Sequence, residues 1–217
     1  CYIVAGGFWI ALSYGLLADL FNVYGSITLK WHLSLVAMPI FLLLFMINIF
    51  ETQKKYPIEH WALLSILTLL IVDFIYGLFD IVTALQYSST LAAIMMAVSL
   101  CVTFSMLIRK QPIAPFFLLG HGLFVFFSAL AVFFYKGKAE FNFINSHGVG
   151  IGILLEALVL SLIVAYRIRI LENLKATQAD LQVLASTDPL TQLFNRRHFS
   201  HAANQLLKQA KLTQQPC

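Results

Sequence analysis

Almost unbroken apolar sequence fills the first three quarters of this chain, in blocks separated by short polar connections. Six blocks stand out, at about residues 2–20, 32–50, 62–79, 91–108, 116–135 and 148–166. Each is near the ~20 residues that an α-helix needs to cross a ~30 Å hydrocarbon core. The connections between them carry the charge, as in Glu51-Thr52-Gln53-Lys54-Lys55-Tyr56-Pro57 and Arg109-Lys110-Gln111-Pro112. Trp31, Trp61, Tyr24, Tyr56, Tyr87 and Tyr135 fall near block ends, where amphipathic rings sit at a membrane interface. The pattern predicts an all-α polytopic membrane bundle over residues 1–166, with six crossings present of an expected seven.

Past Tyr166 the pattern changes. Leu171, Leu174, Gln178, Leu181 and Ala185 alternate spacings of three and four, the a/d seam of a short coiled coil. The spacing predicts a stalk over 167–186 joining two copies in parallel, with Gln178 as a register-setting polar position. A solvated amphipathic helix accounts for the same spacing. Beyond it, Asp188 suits an N-cap and Pro189 the first helical position, with Leu193 and Phe194 closing that turn. Asn195 is a second cap candidate, opening a helix with Phe199, Ala203, Leu206, Leu207 and Ala210 on one side.

Composition agrees with a membrane body. The 217 residues are 60% hydrophobic and only 11% charged, against the ~25% charged of a globular domain. An ordinary soluble domain is thereby excluded. The net charge of +4 does not point to nucleic acid, because the basic residues sit in the connections. Counting them gives an orientation. Lys54, Lys55, Arg109, Lys110, Arg167, Arg169 and Lys175 fall on one side, and Lys30, Lys136 and Lys138 on the other. Seven against three puts the C-terminal end in the cytoplasm of a multi-pass inner-membrane protein. Six crossings then place Cys1 there too, and a chain starting so without Met is expected to follow a further crossing and an outer domain. Cys1, Cys101 and Cys217 are far apart, which indicates neither a zinc site nor a disulfide framework.

The stretch Thr187-Asp188-Pro189-Leu190-Thr191-Gln192-Leu193-Phe194-Asn195-Arg196-Arg197-His198-Phe199 resembles the opening of GGDEF diguanylate cyclase domains, T-D-x-L-T-x-L-x-N-R-R-x-F. Asp188, Leu190, Thr191, Leu193, Asn195, Arg196, Arg197 and Phe199 match at the same spacing, while Gln192 stands where the family often has Gly. Residues 187–217 are therefore expected to begin such an α/β domain. The resemblance implies Mg²⁺ and one GTP per protomer in the full-length protein, with two facing domains forming cyclic di-GMP. The family's metal-binding and guanine-binding residues lie downstream of this opening, so no catalytic, cofactor or metal residue is assigned here, and this stretch alone is not expected to be an enzyme.

The membrane part resembles the bacterial seven-transmembrane receptors with diverse intracellular signalling modules. The likeness is best where Ser146, Gly148, Gly150 and Gly152 lead to Leu155-Glu156-Ala157, Leu160-Ser161-Leu162 and Arg167-Ile168. It implies that the blocks are helices two to seven, behind a periplasmic sensing domain.

Ionisable groups are costly inside a bilayer, so those present are candidate site residues. Asp73 and Asp80 are seven apart on one helical face, with Tyr76 between them; Glu156 lies in the last block, and His121 between Gly120 and Gly122. They predict a polar intramembrane site or switch; interhelical hydrogen bonding is the plainer alternative. Gly148 and Gly152 form a small-xxx-small face for close helix approach rather than a nucleotide loop. Two rivals to a cyclase receptor follow from the same residues. One is a non-enzymatic receptor or adaptor with a degenerate output domain. The other is a transporter using Asp73, Asp80 and Glu156 as a polar path.

Overall fold

The computed structural model describes residues 1–22, 25–138, 140–188, 191 and 193–213. Among them the chain forms α1 (Tyr2–Ser13), α2 (Leu16–Phe21), α3 (Ser26–Trp31), α4 (Leu33–Ile49), α5 (Thr52–Lys55), α6 (Pro57–Phe79), α7 (Ile81–Ile108), α8 (Ala114–Tyr135), α9 (Phe143–Ser186) and α10 (Arg196–Thr213). No strand occurs among the described residues, only an isolated bridge between Thr187 and Phe194. The protein is an all-α polytopic bundle. It divides into two compact units, Cys1–Ile163 and Val164–Cys217.

Among the described residues five helical stretches are long and apolar enough to cross a membrane: Thr28–Ile49, Pro57–Phe79, Ile81–Ile108, Ala114–Phe134 and Phe143–Ser186. Helix is the form an apolar run takes in lipid, because it satisfies every backbone donor and acceptor internally. Where six blocks were expected, the first is interrupted. Gly15 adopts φ +77, a left-handed conformation that glycine takes without steric cost, and separates the 12-residue α1 from α2. α4 stays within its block, whereas α6, α7, α8 and α9 outgrow theirs. Pro57 begins α6 at a position where its missing N–H costs nothing, and α7 begins at Ile81 rather than residue 91 because Asp80 caps it. Tyr87 consequently lies inside α7, not at a helix end. Tyr24 lies outside the described residues.

In the first unit α4 packs against α1, α6 and α7, while α7 also packs against α6 and α8. Their shared core holds Leu43 and Met46 of α4, Leu63 and Leu70 of α6, Met106 of α7, Phe117 of α8 and Ile153 of α9. The outward faces are equally apolar. Val72 and Phe79 of α6, Phe116 and Phe126 of α8, and Leu154 and Leu158 of α9 are all exposed. Such a surface belongs against acyl chains, since helices apolar all round are membrane spans or fully buried.

Glycines set the spacing of α8 and α9. A Cβ on Gly148 would collide with the Phe127 carbonyl oxygen, and one on Gly152 would lie 3.1 Å from Phe124 Cα. Val159 fills the space over Gly120 in return. The small-xxx-small face thus lets two backbones touch.

The second unit, taken by itself, begins with exposed helix. Leu171, Leu174 and Leu181 are each at least half exposed, and Gln178 and Ala185 are exposed with them. After Ser186 the chain folds into a tight joint. Asn195 Nδ2 donates to the Ala185 carbonyl at 2.7 Å, Asn195 N–H to Ser186 O at 2.8 Å, and Asp188 N–H to Leu193 O at 2.8 Å. At Asp188 the described contact is the one that an N-cap makes, to the N–H three residues on. Asp188 Oδ1 accepts from the Thr191 N–H at 3.0 Å, and α10 starts at Arg196, directly after Asn195. Pro189, Leu190 and Gln192, which bear on that expectation, lie outside the described residues, as does the 214–217 end.

Candidate functional site

The face of α9 that carries Gly148 and Gly152 continues, four residues on, to Glu156. Side chains four apart share a helix face, so the close approach that the glycines permit carries Glu156 into the bundle. There it meets His121 of α8. His121 Nδ1 lies 2.7 Å from Glu156 Oε1, and neither side chain has solvent exposure. The imidazole is held between Phe117 and Phe124, whose ring centroids are 5.8 and 6.0 Å from its own.

Two further helices complete the chain of contacts. Tyr2 of α1 donates its hydroxyl to Glu156 Oε2. On the other side, His121 Nε2 lies 2.6 Å from Ser99 Oγ of α7. Ser99 Oγ also donates to the Met96 carbonyl at 3.0 Å, and Thr103 Oγ1 to the Ser99 carbonyl at 2.7 Å. Tyr2, Ser99, Thr103, His121 and Glu156 are all buried.

Donors and acceptors along this chain match. When the Ser99 hydroxyl donates to Met96 O, its oxygen accepts from His121 in the tautomer that carries Nε2–H. One proton then lies between Nδ1 and Oε1, held by the imidazole or by the carboxyl. A buried ionisable pair persists only when paired and hydrogen-bonded, and this one is. Chemically the arrangement can hold a proton and tie together α1, α7, α8 and α9. Among the described residues no group of three or more His, Cys, Asp or Glu could hold a metal ion.

Of the five intramembrane candidates, the structure brings two together, His121 and Glu156. Asp73 is buried on α6 with its Oδ2 lacking a hydrogen-bond partner, and Tyr76 is half exposed. Asp80 has a local task. It accepts from the Thr83 hydroxyl at 2.6 Å and the Thr83 N–H at 3.3 Å, capping α7. Those hydrogen bonds, the hydroxyl first, hold its carboxyl below the usual carboxylate range.

Sequence reasoning missed Tyr2 and Ser99, which carry no charge and stand far along the chain from their partners. It also missed a second polar cluster, at the end of the bundle where α5, α6 and α7 present Lys54, Lys55, Arg109 and Lys110. Glu59 Oε1 accepts from Ser105 Oγ at 2.7 Å and pairs with Arg109 Nη2 at 2.8 Å. The Arg109 guanidinium sits 5.0 Å from the Tyr56 ring centroid, and Gln111 Nε2 donates to the Tyr56 hydroxyl at 2.7 Å. Lys55 pairs with Glu51 at 3.0 Å.

Of the opening motif, Asp188, Thr191 and Asn195 make the joint described above, while Leu193 and Phe199 are exposed. Arg196 is the first residue of α10. Leu190 and the Arg197 side chain lie outside the described residues.

The chain matches no curated protein and no solved structure. Residues 1–167 match the 7TM diverse intracellular signalling family, which covers the whole apolar bundle and the buried polar chain within it. A polytopic bundle that matches this family over most of its length is a membrane signalling domain, and the chain belongs to the 7TM diverse intracellular signalling family.

Proposed function

We propose that this signalling domain is the membrane portion of a bacterial inner-membrane receptor whose cytoplasmic output, in the full-length protein, is a diguanylate cyclase that converts two GTP into cyclic di-GMP. The observation that carries the reading is the Thr187–Phe199 motif, eight positions of which match the opening of that output domain. The joint it forms supports the same reading. Asn195, one of the matching residues, hydrogen-bonds both Ala185 and Ser186 and so ties the end of α9 to the start of the motif.

Two other features support parts of it. The seven-to-three distribution of basic residues favours a cytoplasmic C-terminal end. The exposed Leu171, Leu174, Gln178, Leu181 and Ala185 stripe suits a parallel homodimer, and the reaction needs two facing output domains. A periplasmic sensing domain would supply the signal and membrane lipid the surroundings. GTP and Mg²⁺ would be held by family residues downstream of the opening motif, so no catalytic step is assigned to residues of this chain. A signal acts by favouring one packing of the helices over another, through different affinities for the two.

The test is cyclic di-GMP formation by the full-length protein in lipid nanodiscs supplied with GTP and Mg²⁺. Product is expected, with a several-fold change in rate when the joint is loosened by Asn195→Ala. GTP binding without product, in wild type and variant alike, would make the protein a nucleotide-binding adaptor and overturn the enzymatic reading.

A further inference from the structure

Between α4, α6, α7 and α8 lies a cavity of about 180 Å³. Its walls are apolar and adaptable: Met38, Pro39, Leu70, Met95, Met96 and Phe124. The two hydroxyls on it are already engaged, Ser88 Oγ donating to Leu85 O at 3.0 Å and Ser89 Oγ to Gln86 O at 3.3 Å. No polar group at the cavity asks for a polar ligand or holds a water. Protein interiors are otherwise packed to the density of organic crystals, with few voids larger than one water. An apolar cavity of about 150 Å³ stays dry and takes benzene or xenon.

The cavity also touches the buried polar chain at two points. Phe124 forms part of its wall and lies against the His121 ring, with centroids 6.0 Å apart and planes tilted by 31°. Met96 lines it with its side chain while its carbonyl accepts from Ser99 Oγ, the partner of His121 Nε2. Anything that fills the cavity therefore touches the ring that backs His121.

We propose that this cavity binds a small, uncharged, membrane-partitioned apolar molecule, of about the size of a single aromatic ring, and that its occupancy is transmitted through Phe124 to the His121–Glu156 pair. The proposal stands whether or not the output domain is a cyclase. A ligand of this class reaches the site from the bilayer and needs no aqueous path.

The full-length protein in phosphatidylcholine/phosphatidylglycerol nanodiscs is exposed to xenon and, separately, to benzene. A saturable bound ¹²⁹Xe signal is expected, together with a saturable rise in unfolding midpoint with benzene. Ala92→Leu, which fills the cavity, removes both; Ala93→Leu, on the exposed face of the same helix, leaves both intact. Ser89→Leu fills the cavity from the preceding turn of the same helix should Ala92→Leu fail to fold. The ¹⁵N resonances of the His121 ring, identified by their loss in His121→Asn, move along the same saturation curve. Absence of bound xenon in the wild type, the result expected if lipid chain ends occupy the space, overturns the site. Equal binding by the filled variants does so as well, and an unmoved His121 signal overturns the transmission.

Discussion

His121 and Glu156 face each other across the α8–α9 seam, Nδ1 2.7 Å from Oε1, with neither side chain exposed. Removing one partner strands the other in an apolar interior, which costs about 3–5 kcal/mol, whereas replacing both with apolar residues is often neutral. His121→Leu and Glu156→Leu are each expected to lower the stability of the bundle by that order. The double variant should lose less than either single one. Unfolding in detergent of all four proteins checks this; losses that simply add would show that the two residues do not act as a pair.

The glycine seam gives a second, opposed pair of outcomes. Gly148→Val must push α9 off the Phe127 backbone, which cannot yield as a side chain would, and an overpacked core costs roughly 1–3 kcal/mol. Gly122 is helical too, but a Cβ there meets nothing within 4 Å. Gly122→Ala is therefore expected to stabilise α8 by about 0.5–1 kcal/mol. Thermal unfolding of both variants reads the difference. A Gly148→Val protein as stable as wild type would mean that α8 and α9 are not in backbone contact.

The stalk stripe predicts a crosslinking pattern. Leu174→Cys and Leu181→Cys are expected to form disulfides between two copies under mild oxidation, and Lys175→Cys, off the stripe, is not. Equal crosslinking at all three positions, or none at any, would remove the parallel dimer.

Acidification should act on α7 from its first turn. The Asp80 carboxyl lies below its usual range because Thr83 hydrogen-bonds its charged form. A depressed folded-state value means that the capping contribution is complete above the unfolded carboxyl's ordinary pKa of about 4. It disappears as pH falls through the lower folded value. Amide exchange at Val82–Ala84, corrected for its intrinsic pH dependence, is expected to stay constant from neutral pH down to about pH 4 and then to rise until the lower folded value is passed. In Asp80→Asn the rise is absent. A rise of the same size in that variant would assign the fraying to another group.

Much of the fold was legible because the bilayer imposes a length. Runs near 20 apolar residues predict helices of that size, and α4, α6, α7 and α8 cover the expected blocks. Hydropathy was blind to what stops a helix. Gly15 divides the first block through a backbone conformation, and Asp80 moves the start of α7 by capping it, neither of which averages over a window reveal. In the site, Glu156 and His121 were conspicuous because charge is rare in such a chain. Their union with Tyr2 and Ser99 was not, since Tyr2 and Glu156 are 154 residues apart and nothing local marks them as neighbours. Asp73 and Asp80 share a spacing that implies one face only if the helix continues, and α6 ends at Phe79.

The ion pairs at the basic end of the bundle bear on how strongly that end attracts anionic lipid. Four cations are crowded there, Lys54, Lys55, Arg109 and Lys110, but Lys55 is paired with Glu51 and Arg109 with Glu59. Lys54 and Lys110 have no such partner among the described residues. A basic residue near an anionic leaflet is worth about 1 kcal/mol of attraction, and an acid held against it cancels much of that. Against an anionic leaflet the edge would act with closer to two charges than four, those of Lys54 and Lys110.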